Sequence, residues 1–261
     1  MNLNSAADFL FALRNAGDEV AGLPPQLVPR SLEHAYREQA ALVEKLIERH
    51  GGRRIGYKIA CSNMLAQRLL NVDAPLFGTL LSFSTHPSPA VLSASGFRLR
   101  CIEPEFGVAI AEDIPVSNSD YNVESVRPYV ARVFASLEIV DHRFSDWGKA
   151  GAPTLVADNA IHGAWVEGDS SADWRAVDLA ALAVSLSVNG ERVRTGSGAE
   201  VLGNPLNAVA WLANELPRHG LRLRAGDRIS TGTATDIYLA RAGDNLEANF
   251  GVLGRAQLRF T

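Results

Sequence analysis

The composition of the chain is typical of a globular protein with no electrostatic preference for nucleic acid. Its 261 residues are enough for one large domain, and 47% of them are apolar while 21% are charged. The formal net charge of −4 gives no basic surface of the kind that binds nucleic acid or an anionic membrane, which excludes both as expected partners.

Cysteine usage and the amino terminus predict a cytoplasmic protein. Cys61 and Cys101 lie 40 residues apart and form no CxxC pair, so a reducing compartment is expected in place of a disulfide framework. The amino terminus lacks the basic segment of a secretory signal. No apolar run approaches the ~20 residues that a membrane-spanning helix needs.

The N-terminal part of the chain is predicted to be helical and peripheral. An amphipathic segment covers about residues 5–16, and Ser31 supplies the side-chain oxygen that caps a second helix running to Gly51. We therefore divide the chain into an N-terminal helical region, residues 1–52, and a main domain, residues 53–261.

The main domain mixes short strands with a few helices, which predicts an α+β fold with mixed β-sheets. Strands are expected over residues 54–60, 77–83, 101–110, 135–144, 227–232, 245–250 and 255–260. Helices are expected over residues 63–70, 123–134 and 206–217, the last with Asn204 as its N-cap. The dipeptide Asn189-Gly190 predicts a hairpin, because both residues tolerate the positive φ angles of a tight turn.

Two glutamates interrupt the apolar strand predicted at residues 101–110. Glu103 and Glu105 are two positions apart, so on a strand they share a face, with Cα atoms ~6.6 Å apart. Pro104 between them argues against a helix, which would separate the two side chains. A third acid, Glu138, lies in another apolar strand, where an unpaired ionised carboxylate is costly.

The three glutamates are candidate ligands for a hard divalent cation. An all-oxygen set favours Mg²⁺ or Mn²⁺ over Zn²⁺, since no cysteine or paired histidine spacing accompanies it. The alternative is that the acids are solvated or form salt bridges, and the sequence spacing alone does not show that they converge.

Six blocks of sequence, in order, resemble the 2-keto-4-pentenoate hydratase branch of the fumarylacetoacetate hydrolase superfamily. They are GYKIACSNMLAQRLLNVDAPLFGTLL, IEPEFGVAIAEDI, SLEIVDHRFSDW, VADNA, TGSGAEVLGNPLNAVAWLANEL and LRAGDRISTG. The resemblance covers nearly the whole chain from about residue 53. It implies that residues 53–261 form a rolled, sandwich-like catalytic domain, and that Glu103, Glu105 and Glu138 are the Mg²⁺ or Mn²⁺ ligands.

The resemblance also implies an activity in the catabolism of aromatic compounds. Members of this branch add water to a 2-hydroxy-2,4-dienoate and produce a 4-hydroxy-2-oxo acid, so a small dienoic acid is the expected substrate. The reaction needs a titratable group near the cation to move protons. Lys58, in the GYKI motif, is the implied candidate, and an ordinary surface lysine is the alternative.

Two further residues are candidates for roles around this site. Asp73, in NVDAPLFG, is a possible acid or base, or a residue that orients the lysine, and a turn residue is the alternative. Arg143 is expected to orient a glutamate or to bind a substrate carboxylate. The structural alternative for Arg143 is a salt bridge with Asp141 or Asp146.

The chain departs from the usual pattern of the branch at two places. Leu76 stands where an aspartate is frequent, and Ile161 and His162 stand where small hydroxyl residues are usual. His162 is therefore a candidate proton carrier, because its reference pKa lies near neutrality, with a structural histidine as the alternative.

Other functions of the same site stay open at this point. They are a 4-oxalocrotonate-type decarboxylase, an acylpyruvate-type carbon–carbon hydrolase and a non-catalytic metal-binding homologue. The resemblance further implies a homo-oligomer, which could form a complex with another enzyme of the same pathway.

Overall fold

The secondary structure of residues 4–169 and 173–261 is described by a computed structural model. The helices are α1 (Ala6–Ala16), α2 (Leu32–His50), α3 (Met64–Leu70), α4 (Val123–Val126), α5 (Trp147–Ala150), α6 (Ala152–Ala157) and α7 (Pro205–Glu215). The strands are β1 (Arg54–Ala60), β2 (Leu76–Leu81), β3 (Thr85–Pro87), β4 (Ala90–Leu92), β5 (Cys101–Ile110), β6 (Val130–Val140), β7 (His162–Glu167), β8 (Ala183–Val188), β9 (Glu191–Ser197), β10 (Arg228–Thr233), β11 (Tyr238–Leu239), β12 (Asn245–Asn249) and β13 (Arg255–Phe260).

A curled mixed sheet forms the larger layer of the fold. Its strands follow the order β2-β1-β10-β5-β6-β7-β3, with β11 pairing to β5. The β1–β10 and β3–β7 pairs are parallel, and β5–β6 is a long antiparallel ladder. Strands β2 and β7 contact each other although four strands separate them in the sheet order, so the sheet curls around an enclosed face.

A second sheet packs against the first and completes the sandwich. Its order is β4-β13-β12-β8-β9, and β12 and β13 contact β6 of the larger sheet. Along β13, Ala256, Leu258 and Phe260 are buried while the residues between them are exposed, as the strand period of two requires. Both the α+β class and the mixed, rolled sheets expected from the sequence are confirmed.

The N-terminal helices are part of the core, so the expectation of a peripheral region is wrong. Ser5 and Ser31 cap the two helices by accepting hydrogen bonds from backbone N–H groups, as their sequence positions favour. The helices share one apolar cluster with the main domain that includes Leu10, Leu42, Val43, Leu81, Phe144 and Leu155. The proposed division between residues 52 and 53 stays a prediction.

The helix expected over residues 123–134 is much shorter than predicted. Helix α4 ends at Val126, a single 3₁₀ turn covers Arg127–Tyr129, and β6 begins at Val130. Pro128 lacks the N–H that would continue the helix, and the valines that follow favour a strand. The chain therefore enters the site-bearing strand earlier than the sequence pattern indicates.

The strand expected over residues 135–144 ends earlier, at Val140, whereas two further local predictions are confirmed. Asn189 and Gly190 have φ angles of 53° and 89° in the turn between β8 and β9. The side chain of Asn204 caps α7 by accepting a hydrogen bond from the N–H of Leu206 at 2.9 Å. Among the described residues, no helix is long and apolar enough to cross a membrane.

Candidate active site

Three glutamate side chains converge on the enclosed face of the larger sheet. Carboxylate oxygens of Glu103, Glu105 and Glu138 all lie within 4.8 Å of one another. The β5–β6 register places Glu103 directly opposite Glu138, and Glu105 follows two residues later on the same face. The structure therefore brings together the three acids that the sequence marks as candidate ligands.

The three carboxylates strongly perturb one another. Burial, with the negative charge of Glu138, raises the pKa of Glu103 to about 7. Burial and the charges of Glu138 and Glu103 hold the pKa of Glu105 well above its usual range. Burial opposes ionisation of Glu138 too, but the charge of Lys58 and the contact with His162 outweigh it and lower the pKa of Glu138.

Some oxygen atoms of these carboxylates accept no hydrogen bond from the described residues, which suits the binding of a divalent cation. Within the described ranges, Glu105 Oε1 and Glu138 Oε2 are buried without a hydrogen-bond partner. The second oxygen of Glu105, Oε2, accepts hydrogen bonds from the Ser230 hydroxyl and, at 2.9 Å, from the Gly232 N–H. Unsatisfied buried carboxylate oxygens in an all-oxygen set are the donors that hard cations prefer. We infer that these side chains can hold such an ion.

Lys58 reaches the same cluster from β1. Its Nζ lies 3.1 Å from Oε1 of Glu138 and donates a hydrogen bond of 3.1 Å to the carbonyl of Ala160. Burial favours the neutral amine, but the charges of Glu138, Glu103 and Glu105 outweigh this and raise the pKa of Lys58. The residue is 1% exposed, which excludes the alternative of a surface lysine.

His162, the first residue of β7, also contacts Glu138. Its Nδ1 lies 2.9 Å from Oε1 of Glu138, and its Nε2 is buried with no partner among the residues that the structure describes. Burial lowers the pKa of His162, against the opposing effect of the Glu138 carboxylate. The imidazole thus sits inside the cluster, next to Lys58.

The segment that carries the Lys58 partner has an unusual backbone. Asn159, Ala160 and Ile161 have φ angles of 55°, 48° and 55°, although none of them is glycine. The side chain of Asn159 holds the segment against β2, where its Oδ1 accepts from the Thr79 N–H at 2.7 Å and its Nδ2 donates to the Thr79 carbonyl at 2.9 Å. Such positions cost of order 1–3 kcal/mol each and persist only when their surroundings fix them.

A buried ion-pair network supports this segment from behind. Arg14 of α1 donates to Asp158 Oδ1 at 2.7 Å and to the carbonyl of His162 at 3.4 Å. Arg143 pairs with Asp141 Oδ2 at 2.8 Å and with Asp158 Oδ2 at 3.3 Å. Arg143 therefore contacts Asp158, which precedes the segment that binds Lys58. It also forms the salt bridge with Asp141 that the sequence offered as the alternative to a direct role. A direct role for Arg143 in the site stays a prediction.

Sequence reasoning did not identify Arg14 or Asp158 as site residues. Asp158 lies within VADNA, a block that resembles the family without indicating a role for its aspartate. Arg14 lies in a helix that the sequence predicts to be peripheral. A charged residue on the buried side of α1 is the one local signal that points to Arg14. Its partner is 144 residues away, which no local pattern indicates.

Asp73 is not brought into the cluster. It lies exposed in the bend between α3 and β2. Across residues 4–169 and 173–261, no hydrogen bond or ion pair joins it to the glutamates or to Lys58. Its catalytic role stays a prediction.

Comparison with known proteins relates this geometry to a family. The family model "Fumarylacetoacetate (FAA) hydrolase C-terminal" matches residues 57–261. The chain is 32% identical to a 2-keto-4-pentenoate hydratase of Paraburkholderia xenovorans (strain LB400), over 98% of this chain and 93% of that protein. It is 34% identical to a 2-hydroxyhexa-2,4-dienoate hydratase of Comamonas testosteroni, over 96% of this chain and 94% of that protein.

A solved structure matches the fold over almost its whole length. The 4-oxalocrotonate decarboxylase from Pseudomonas putida G7, complexed with magnesium and adipate, aligns with a TM-score of 0.90 and 27% identity. The alignment covers 98% of this chain and 96% of that one. The sequence and the fold agree, and the chain belongs to the fumarylacetoacetate hydrolase family.

Proposed function

We propose that this protein is a divalent-metal-dependent hydratase, a hydro-lyase that adds water to a 2-hydroxy-2,4-dienoate. The product is a 4-hydroxy-2-oxo acid, formed in the catabolism of aromatic compounds. The observation that carries the proposal is the convergence of three carboxylates, two of them buried and that of Glu103 half-buried, beside a buried lysine. The two hydratases described above, which are related over almost the whole chain, support the same reaction.

Glu103, Glu105 and Glu138 are the proposed ligands of Mg²⁺ or Mn²⁺. When bound, such an ion supplies Lewis-acid stabilisation of negative charge on the substrate oxygens. Two buried carboxylate oxygens, Glu105 Oε1 and Glu138 Oε2, have no hydrogen-bond partner in the described part of the chain, which supports this assignment. The magnesium in the related decarboxylase structure supports a divalent ion in general.

Lys58 is the proposed proton-transfer group. The reaction removes a proton from the 2-hydroxyl, delivers one to the far carbon of the diene, and adds water at C4. An ammonium group has three N–H donors, and Lys58 directs two of them to Glu138 and Ala160. The third N–H is available to a substrate held at the cluster, and the burial of Lys58 keeps bulk water from competing for it.

Asp73 and Arg143 have supporting roles in this proposal. Arg143 acts through Asp158, with which it forms an ion pair, to hold the segment that contacts Lys58. Asp73, exposed before β2, keeps its proposed role as an acid or base.

The first experiment follows the ultraviolet absorbance of freshly generated 2-hydroxypenta-2,4-dienoate. Purified protein is assayed in EDTA and again with added Mg²⁺ or Mn²⁺, with mass spectrometry of the product. We expect metal-dependent loss of the conjugated band and a mass gain of one water, both abolished by Glu103→Gln. The absence of turnover with either metal would contradict the hydratase assignment for this substrate.

A decarboxylase of the 4-oxalocrotonate type is the second candidate. It is favoured by the close match of the fold to the decarboxylase from Pseudomonas putida G7. The two reactions differ in mass balance, because decarboxylation releases CO₂ while hydration adds water. Incubation with 2-oxohex-3-enedioate and mass spectrometry of the product therefore separates them.

We also propose that the protein assembles as a homo-oligomer in the cytoplasm, where a complex with another enzyme of the pathway is expected. Cys61 and Cys101 are both free and buried, which suits a reducing compartment. Light scattering after size-exclusion chromatography tests the assembly, and a monomeric mass would contradict it.

A further inference from the structure

The two oxygens of Glu138 have unequal surroundings. Oε1 lies 3.1 Å from Nζ of Lys58 and 2.9 Å from Nδ1 of His162. Oε2 is buried and has no hydrogen-bond partner within the described residues. The carboxylate therefore has one oxygen engaged by two side chains and one oxygen left free.

The chemistry of the pair fixes the direction of the contact with His162. An ionised carboxylate only accepts hydrogen bonds, so Nδ1 of His162 carries the proton that lies between the two groups. In the neutral imidazole, Nε2 is then an acceptor. This assignment follows from Glu138 being the charged partner of Lys58.

The position of His162 is itself fixed by the fold. The residue begins β7 and is 2% exposed, and its carbonyl oxygen accepts a hydrogen bond from Arg14 at 3.4 Å. The fold therefore places the buried imidazole next to Oε1 of Glu138. Lys58, which is also held by the carbonyl of Ala160, restrains the same oxygen from a second direction.

We propose that His162 is a positioning residue for Glu138: together with Lys58 it holds Oε1, so that Oε2 is the single oxygen presented to the cation. The inference rests on the metal site proposed above. It assigns to His162 a role through Glu138, in place of the proton carrier expected from the sequence. Partners of this kind orient metal ligands, and their removal typically costs about 10–100-fold in metal affinity.

Three substitutions of the same residue test the direction of the contact. His162→Asn retains an amide N–H close to the position of Nδ1, while His162→Gln extends its amide toward the position of Nε2, and His162→Leu has no donor. The measurement is Mn²⁺ affinity of the metal-free protein, by calorimetry or by electron paramagnetic resonance of free Mn²⁺. We expect the Asn variant to bind within about threefold of the original protein, and the Gln and Leu variants to bind about 10–100-fold more weakly.

A matched control separates this effect from the loss of a histidine in general. His86 is a partly buried histidine on β3 that does not contact the glutamates, and His86→Leu is expected to leave Mn²⁺ affinity unchanged. Thermal unfolding in EDTA establishes that each variant is folded. If the Leu variant does not fold, the comparison of Asn with Gln gives the same answer.

Two results would overturn the inference. One is a Leu variant that binds Mn²⁺ as tightly as the original protein, and the other is an Asn variant as weak as Leu or Gln. If the original protein itself binds no Mn²⁺, the proposed metal site is wrong and the role of His162 is wrong with it. If the original protein binds Mn²⁺ and only the pattern among the variants differs, the role of His162 alone is wrong.

Discussion

Arg14 and Asp158 form a largely buried ion pair across 144 residues of sequence, with Nε of the arginine 2.7 Å from Oδ1 of the aspartate. The pair joins the first helix to the segment that carries the Lys58 and His162 contacts. Asp158 is fully buried, so loss of Arg14 would leave its charge with Arg143, 3.3 Å from Oδ2, as the remaining ionic partner among the described residues.

We expect Arg14→Gln to lower the free energy of unfolding by about 2 kcal/mol, because one oxygen of Asp158 loses its donor while Arg143 still compensates part of the charge. Urea unfolding followed by circular dichroism measures it. The control is Arg37→Gln, which removes an exposed pair with Glu33 and is expected to cost less than about 0.5 kcal/mol. Equal effects of the two substitutions would contradict the importance assigned to the buried pair.

Lys58→Met keeps most of the side-chain volume and removes the ammonium group. We expect kcat to fall by at least about 100-fold at saturating metal, because proton transfer by a positioned side chain contributes on that scale. Lys149→Met, at an exposed lysine of α5, is the matched control and is expected to retain full activity. Steady-state kinetics with the dienoate measures both variants, and unchanged kcat in Lys58→Met would remove the lysine from the mechanism.

Addition of Mg²⁺ to the metal-free protein is expected to raise its melting temperature. Burial, and next to it the repulsion between the carboxylates, raises the pKa values of Glu103 and Glu105, and a bound cation relieves the repulsion. At a free Mg²⁺ concentration 100 times the Kd, binding to the folded state alone stabilises it by about 2.7 kcal/mol. Differential scanning fluorimetry with EDTA and with Mg²⁺ measures the shift.

A carboxamide at Glu138 provides the control for that experiment. Glu138→Gln removes the negative charge and one proposed ligand, so its melting temperature is expected to respond far less to Mg²⁺. A shift of the same size in both proteins would mean that the ion stabilises the protein from some other place.

His86 makes the stability of the fold depend on pH. Burial lowers its pKa below the ordinary value of 6.5, so the folded state disfavours the imidazolium. Below pH 6.5 the unfolded chain binds the proton more readily, and stability contributed by the neutral ring is lost as the pH falls through that value.

Replacing His86 should therefore remove this loss of stability at low pH. As the pH falls from 7 to 5, the free energy of unfolding of His86→Gln is expected to fall by less, or to rise by more, than that of the original protein, as measured by urea unfolding. His50→Gln, at an exposed position at the end of α2, is expected to leave the slope unchanged. A slope of the same steepness in His86→Gln would assign the pH dependence to other groups.

The convergence of the acids could be predicted in part, because strand geometry is local. The two-residue spacing of Glu103 and Glu105 fixes their common face whatever the rest of the fold does. Glu138 lies beside them only because β5 pairs with β6, and strand geometry alone does not predict that pairing. The resemblance to a known family implied that Glu138 is a third ligand.

The contacts that hold the segment behind the glutamates could not be predicted from local sequence in the same way. Asparagine tolerates the left-handed conformation, but the residue types of Ala160 and Ile161 do not predict three successive left-handed residues, and the contacts that hold Asn159 come from β2. The ion pair between Arg14 and Asp158 likewise depends on how a helix at one end of the chain packs against a loop in its middle. Both features are tertiary, and local propensity carries no information about them.

Because Glu103 and Glu138 pair across the two strands, the geometry of the cluster depends on the register of β5 and β6. A slip of one residue between β5 and β6 would turn the side chains of one strand to the opposite face, so the acids would no longer meet. Tight cation binding is thus expected only from molecules whose central ladder is in its native register. The rate at which the refolding protein begins to bind metal would then report the rate at which β5 and β6 reach their native register, separately from the rate at which the rest of the sheet forms.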